Sequence, residues 1–142
     1  MHNSGLPVDM IGFGKLKKKY KFNIIEDACH ALGAKYSLKK DDNVGNCKYS
    51  DISVFSFHPV KSITTGEGGM ITTNNKRIFE KLKIYRNHGI VRKKSSPKVY
   101  NWDYKVIAPG FNFRLSDFQC ALGINQLKKL DKFVYERKNI AQ

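Results

Sequence analysis

Acidic residues are scarce in this chain of 142: 12 Asp and Glu stand against 26 Lys and Arg, for a formal net charge of +14. A balance this basic raises the class of proteins that grip phosphate backbones, with Lys15, Lys17, Lys18, Lys19 and Lys21 as the densest cluster. The signatures of that class are absent. There is no helix-turn-helix, zinc or RNP pattern, and the aromatic residues fall mainly on apolar faces. Cysteine is sparse too, with Cys29, Cys47 and Cys120 in an odd number that fits neither a disulfide framework nor metal-ligand spacing. His2, His30, His58 and His88 are scattered and complete no metal site with them. This usage points to a reducing compartment. No signal peptide and no apolar run of spanning length is evident, so a cytoplasmic protein without membrane insertion is expected. Internal repeats, low-complexity tracts and linkers are missing, and the length suits one domain with a modest core.

The most informative stretch runs from Phe55 to Gly69. Residues 52–57 are apolar and β-branched or aromatic at nearly every second position, bounded by Ser50-Asp51 and Pro59, which is the pattern of a buried strand. Ser56 and Lys61 then fall at or just past its carboxyl end, the edge at which open α/β sheets bind ligands. A partly desolvated lysine there attacks a carbonyl to form a Schiff base, and a serine donates to a phosphate oxygen. The plain alternative is a surface lysine following a strand. A second apolar run, residues 22–26, leads into Asp27-Ala28-Cys29-His30-Ala31-Leu32-Gly33, so Asp27 also sits at a carboxyl end. An acid in that place pairs with a pyridinium nitrogen, or it simply caps a turn. His30 beside it reads equally as a satisfied polar residue. Ser56 lacks the nucleophile-elbow motif, so a serine triad finds no support. A third block, Pro109 to Gly123, is a loop entering a helix, with Ser116 and Gln119 at capping-box spacing.

Taken together, Glu26 to Gly33, Ser56 to Lys61 with Thr65-Gly66-Glu67-Gly68-Gly69, and Gly110 to Ser116 with Gln119 and Ala121-Leu122-Gly123 resemble the pyridoxal-phosphate-dependent nucleotide-sugar aminotransferases of the DegT/StrS type. Order and spacing agree over nearly the whole chain, from about Pro7 onward. The resemblance implies an α/β fold: a partial three-layer αβα sandwich with a mostly parallel sheet, the C-terminal half of a fold type I large domain. Residues 1–142 would then be a partial cofactor-binding domain of a longer protein, with its N-terminal half and a small C-terminal domain lying outside this sequence. A partial parallel sheet of this kind is expected to be marginal on its own.

The same resemblance implies roles. Lys61 would bind the cofactor, pyridoxal 5'-phosphate, and shuttle a proton. Asp27 would keep the ring nitrogen protonated, His30 would contact the ring or its phenolic oxygen, and Ser56 would hold the phosphate. Asn112 would reach that phosphate from the neighbouring subunit of a homodimer, while Arg114 and His58 would face the substrate. The implied reaction moves an amino group, typically from L-glutamate, to a keto sugar on a nucleotide diphosphate. His30 and the His58-Pro59-Val60-Lys61 run look most like the branch that aminates C4 of UDP-4-keto-6-deoxy-N-acetylhexosamines, on the way to pseudaminic-type acids. Neither nucleic acid nor membrane is expected as a partner. Two other readings stay open on the sequence: an inactive remnant of such an enzyme, and a basic nucleic-acid binder.

Local patterns predict the remaining elements. A helix is expected from Pro7 to Tyr20 with Asp9 as N-cap, weakened by Gly12 and Gly14 at roughly 1 kcal/mol each. Further expectations are a strand at residues 22–26, a short helix near Cys29 to Leu32, turns over residues 37–49, and strands at residues 50–57 and 70–73. Asn74 or Asn75 should cap a helix from Lys76 to Asn87, with Ile78, Phe79, Leu82 and Tyr85 on one face and His88-Gly89 as its stop. Residues 91–108, which include Ser95-Ser96-Pro97, read as a long loop. One long final helix from Ser116 to about Ile140 carries the stripe Cys120, Ile124, Leu127, Leu130 and Val134.

Overall fold

The computed structural model describes residues 1–39, 41–92 and 103–142, and the chain divides into two units, residues 1–74 with 115–142, and residues 75–114. In the first unit, helix α1 (Met10–Tyr20) begins three residues after Pro7, directly behind the expected cap, because the Asp9 carboxylate accepts the Gly12 amide at 2.9 Å. Both glycines have a reason. A Cβ at Gly12 would collide with that capping carboxylate, and one at Gly14 would stand 3.2 Å from the Tyr49 ring. The lost helix propensity is exchanged for close approach.

Strands β1 (Ile25–Asp27), β2 (Ile52–Ser56) and β3 (Gly69–Thr72) form a sheet in that order. β1 pairs parallel to β2 and β3 pairs antiparallel to it, so the sheet is partly parallel within a mixed α/β fold. β1 is shorter and later than residues 22–26, because the Asp51 carboxylate captures the Ile24 amide at 2.8 Å and pairing begins only at Ile25. The apolar core beneath the sheet gathers Ala28, Ala31, Val44, Phe55, Phe57 and Ile63. The short helix expected near Cys29 to Leu32 is absent. Two successive turns replace it, closed by Ala31 N–H to Ala28 O at 2.9 Å and Ala34 N–H to Ala31 O at 3.0 Å, which seats both buried alanines under the sheet.

The long final helix is also corrected to two, α2 (Asp117–Leu127) and α3 (Leu130–Ile140). Lys129 N–H bonds Gln126 O at 2.9 Å, a tighter three-residue turn that ends the first helix without glycine or proline. The break lets Leu130 and Phe133 pack against the core, whereas Ile124 and Leu127 of the expected stripe stay more than half exposed. The N-terminus of α2 carries the expected capping box between Ser116 and Gln119.

The second unit contains α4 (Lys76–Tyr85), capped by the Asn75 side chain, which accepts from the amides of Arg77 and Ile78. It ends ahead of His88 and Gly89, whose positive φ values of 57° and 70° stop the helix. The expected loop over residues 91–108 is corrected in part. Strand β4 (Ile90–Arg92) pairs antiparallel with β5 (Tyr104–Val106), two three-residue strands too short for an alternation to be visible in the sequence. The Ser95-Ser96-Pro97 segment lies outside the described residues. Among the described residues, no helix is long and apolar enough to cross a membrane.

Candidate functional site

Strand alternation sorts the polar residues of β1 and β2 onto opposite faces. The register pairs Glu26 with Ser53 and Asp27 with Val54. Glu26, Ser53 and Phe55 therefore share the face turned to the interior, where Glu26 is 3% exposed and Ser53 fully buried. Asp27, Val54 and Ser56 share the other face. That face is open, with Ile25 65% and Ile71 45% exposed beside them.

On the open face, the Asp27 carboxylate accepts the Cys29 amide at 3.1 Å. This bond bears out the turn-cap reading of the residue. Bonds from the Cys29 thiol and then its amide hold the Asp27 carboxyl below the usual carboxylate range, with a smaller contribution from His30. Asp27 is consequently an anion at neutral pH. One strand over and two residues further along lies Ser56, whose Oγ accepts the His58 amide at 3.3 Å. Its own proton remains to be donated.

Lys61 sits in the loop that leaves β2. This loop is well tied: Phe57 N–H bonds Gly68 O at 2.8 Å, Thr65 N–H bonds Phe57 O at 3.0 Å, and Lys61 N–H bonds His58 O at 3.0 Å. Buried Ile63 and Thr65 root it in the interior. Among the described residues no carboxylate lies within ion-pair distance of Lys61 Nζ. Burial first and then the Asp27 carboxylate push the Cys29 thiol up, while the positive charge of Lys61 works against them. The Lys61 ammonium is thereby within electrostatic range of the turn that follows Asp27. His30 is exposed in that turn, and exposed His58 lies 3.9 Å from Glu67.

The first unit thus brings Asp27, Ser56 and Lys61 to one edge of the sheet, with His30 and His58 on its turns. Asn112 and Arg114 belong to the second unit and are associated there. Asn112 forms a bridge with Asn87, and Arg114 Nη1 donates to Asn87 Oδ1 at 2.6 Å. Phe111 and Phe113 stack on either side of Asn112 in sequence, with ring centres 4.9 Å apart.

A cluster beneath the sheet escaped the sequence reading. The Glu26 carboxylate accepts four side-chain donors: His2 Nε2 at 2.7 Å, Tyr36 Oη at 2.5 Å, Ser53 Oγ at 2.9 Å, and Ser50 Oγ. Burial pushes this carboxyl up, but the bonds from Ser50, Tyr36, His2 and Ser53 outweigh it and hold the group below its ordinary value of 4.5. Burial and the bond to Glu26 raise the Tyr36 phenol in turn. His2 Nδ1 accepts the Val8 amide at 3.2 Å, so the two bonds of the ring assign the proton to Nε2. The available signal was the alternation itself: if Asp27 faces a ligand, Glu26 must face the interior.

A carboxylate and a donating hydroxyl on one open face, with an amine in the loop that follows, suit a ligand with a cationic ring nitrogen, a phosphate and a carbonyl carbon. The chain matches the model of the DegT/DnrJ/EryC1/StrS aminotransferase family over residues 1–142. It is 49% identical over 138 residues to a UDP-4-amino-4,6-dideoxy-N-acetyl-beta-L-altrosamine transaminase of Campylobacter jejuni, covering 97% of this chain and 34% of that protein. Among solved structures, Helicobacter pylori PseC, described as an aminotransferase involved in the biosynthesis of pseudoaminic acid, superposes with a TM-score of 0.79 at 38% identity, over 92% of this chain and 32% of that one. The PLP form of the putative sugar aminotransferase Spr1654 from Streptococcus pneumoniae gives a TM-score of 0.80 at 25% identity, over 99% and 38% of the two chains. The chain spans about a third of the length of the relatives it matches.

Proposed function

Because the chain belongs to the DegT/DnrJ/EryC1/StrS aminotransferase family, we propose that it carries the cofactor-binding residues of a pyridoxal-phosphate-dependent sugar aminotransferase, residues 1–142 forming part of the large domain. The observation behind this reading is the placement of Asp27 and Ser56 on one open face of adjacent parallel strands, with Lys61 in the loop that follows. When bound, pyridoxal phosphate supplies an electron sink for the carbon that carries the migrating amino group.

The chain's own residues supply position and charge. Asp27, ionised and fixed by the Cys29 amide, accepts the proton-bearing ring nitrogen and keeps that proton in place. Ser56 Oγ donates to a phosphate oxygen. Lys61 Nζ anchors the cofactor through its carbonyl carbon and carries the proton that transamination must move. His30 orients the ring from the turn after Asp27. Asn112, in a homodimer, serves the partner's cofactor phosphate; Arg114 lies near the phosphates of a nucleotide sugar, and His58 faces substrate. The Campylobacter and Helicobacter relatives favour a UDP-linked 4-keto-6-deoxy-N-acetylhexosamine as acceptor, with an amino acid such as L-glutamate as donor.

Incubation with pyridoxal phosphate, borohydride reduction and mass-spectrometric mapping tests the reading. One dominant phosphopyridoxyl adduct at Lys61, abolished by Lys61→Ala, is expected. Label spread evenly over the chain's many lysines would defeat the assignment.

A further inference from the structure

We infer that Arg137 is a positioning residue that fixes where Lys61 presents its amine relative to Asp27; this deepens, and rests on, the cofactor reading above. The Arg137 guanidinium donates from Nη2 to the backbone carbonyl of Lys61 itself at 3.0 Å, across 76 residues of sequence. Its helix, α3, is seated on the other half of the site by the residue one turn earlier. A Cβ placed on Gly33, whose φ is +87°, would stand 2.9 Å from Val134 Cγ2 and 3.4 Å from Leu130 Cδ1. Gly33 ends the turn region that begins at Asp27. Val134 and Arg137 are three positions apart and share a helix face. One rigid face therefore touches the turns after the acid and the loop that bears the lysine. The break at Lys128 and Lys129 gives α3 the direction it needs to do so.

The chemistry fits positioning rather than bulk stability. Arg137 is solvent-exposed, and it buries no apolar surface that the core depends on. A charge-assisted bond to a backbone carbonyl fixes a loop at one atom. The other end of the same loop is held independently, since Gln119 Nε2 of α2 donates to Glu67 O at 2.9 Å. Losing the Arg137 bond thus frees the segment around Lys61 while the glycine turn stays anchored. Placement of the amine is what suffers, and small misplacements at a reacting atom weigh heavily.

The test compares the unsubstituted chain with Arg137→Ala, Arg137→Lys and, as a neighbour on the same helix, Lys138→Ala. Amide hydrogen exchange at Lys61 and Thr65 is read without cofactor, and the share of borohydride-trapped phosphopyridoxyl label at Lys61 is read with it. Arg137→Ala is expected to speed exchange at Lys61 by roughly tenfold and to lower the share of label at Lys61, with the melting temperature little changed. Arg137→Lys, which keeps one charged donor, should recover part of both, and Lys138→Ala should match the unsubstituted chain. Unchanged exchange and label in Arg137→Ala would overturn the inference, as would a uniform rise in exchange over the whole chain, the mark of a merely structural residue. Label already scattered in the unsubstituted chain would count against the cofactor reading instead, and the exchange at Lys61 would then alone decide whether Arg137 fixes the loop.

Discussion

Glu26 and Asp27 are consecutive carboxylates on one strand, and the sheet gives them opposite surroundings. Glu26 points inward and spends every oxygen lone pair it can on His2, Tyr36, Ser50 and Ser53. Asp27 points outward, takes its bonds from the Cys29 thiol and amide in the adjoining turn, and stays exposed on the face it shares with Ser56. Both groups sit below their ordinary pKa, but for different reasons. For Glu26, donors overcome the penalty of burial; for Asp27, a turn supplies donors with little burial to overcome. The difference separates two jobs that one residue performs badly: fixing a strand in register and, on the proposed reading, holding a charge ready for a ligand. A fully satisfied carboxylate has no capacity left to bind, and a free one contributes little to folding.

The comparison breaks most visibly at Glu26. Glu26→Ala removes the shared acceptor and leaves several buried donors unpaired, so a loss of about 3 kcal/mol is expected, or a melting temperature lower by roughly 10 °C. Asp27→Ala, the same deletion one residue along, should stay within about 0.5 kcal/mol. Thermal denaturation of the two variants side by side checks this. Equal losses would mean that the two faces are not energetically distinct.

Acid sharpens the same contrast. The unfolded chain takes a proton at Glu26 near 4.5, whereas the folded chain resists until a lower pH. The stabilisation from Glu26 is therefore complete above about 4.5 and is lost as pH falls through the lowered folded value. Glu26→Gln, which cannot titrate, should flatten the acid limb of a stability-against-pH curve. Asp27, Asp42 and Asp51 are also held low and keep some slope in place. An acid limb identical in Glu26→Gln and the unsubstituted chain would refute the cluster's role. At a smaller scale, Tyr36→Phe deletes one of the four donors and the partner of the Gly45 amide, for an expected cost of about 1 kcal/mol in chemical denaturation.

How legible these features are in the sequence depends on how local their causes are. Caps written within three or four residues are legible: Asp9 with Gly12, Asn75 with Ile78, Ser116 with Gln119. So is β2, whose alternation of buried and half-buried residues matches its apolar period. The places of Asp27 and Ser56 at strand ends, and of Lys61 in the loop after β2, are legible because strand ends can be read from where apolar runs stop. The Glu26 cluster is not, since its members come from residues 2, 26, 36, 50 and 53, and the β1–β2 register accounts only for Glu26 beside Ser53. The break between α2 and α3 is equally hidden. No residue there is a poor helix former, and the cause is tertiary, the seating of Leu130 and Phe133 on the core. Arg137 belongs to the same category: nothing around it in sequence refers to Lys61.

The smallest expected change in stability is the most telling for function. Asp27→Asn keeps the side chain's shape and its bond from the Cys29 amide, so folding should be almost unaffected. What it loses is the negative charge, and a neutral amide no longer favours a protonated ring nitrogen. Spectroscopic titration with pyridoxal phosphate should therefore show weaker binding and an altered pH dependence of the bound chromophore, at a melting temperature matching the unsubstituted chain. Glu26→Gln should give the reverse: lower stability, but an unaltered chromophore in whatever fraction remains folded. If Asn at 27 left the chromophore's pH dependence untouched, the charge at the end of β1 would have no role at the ring, and Asp27 would be reduced to a turn cap.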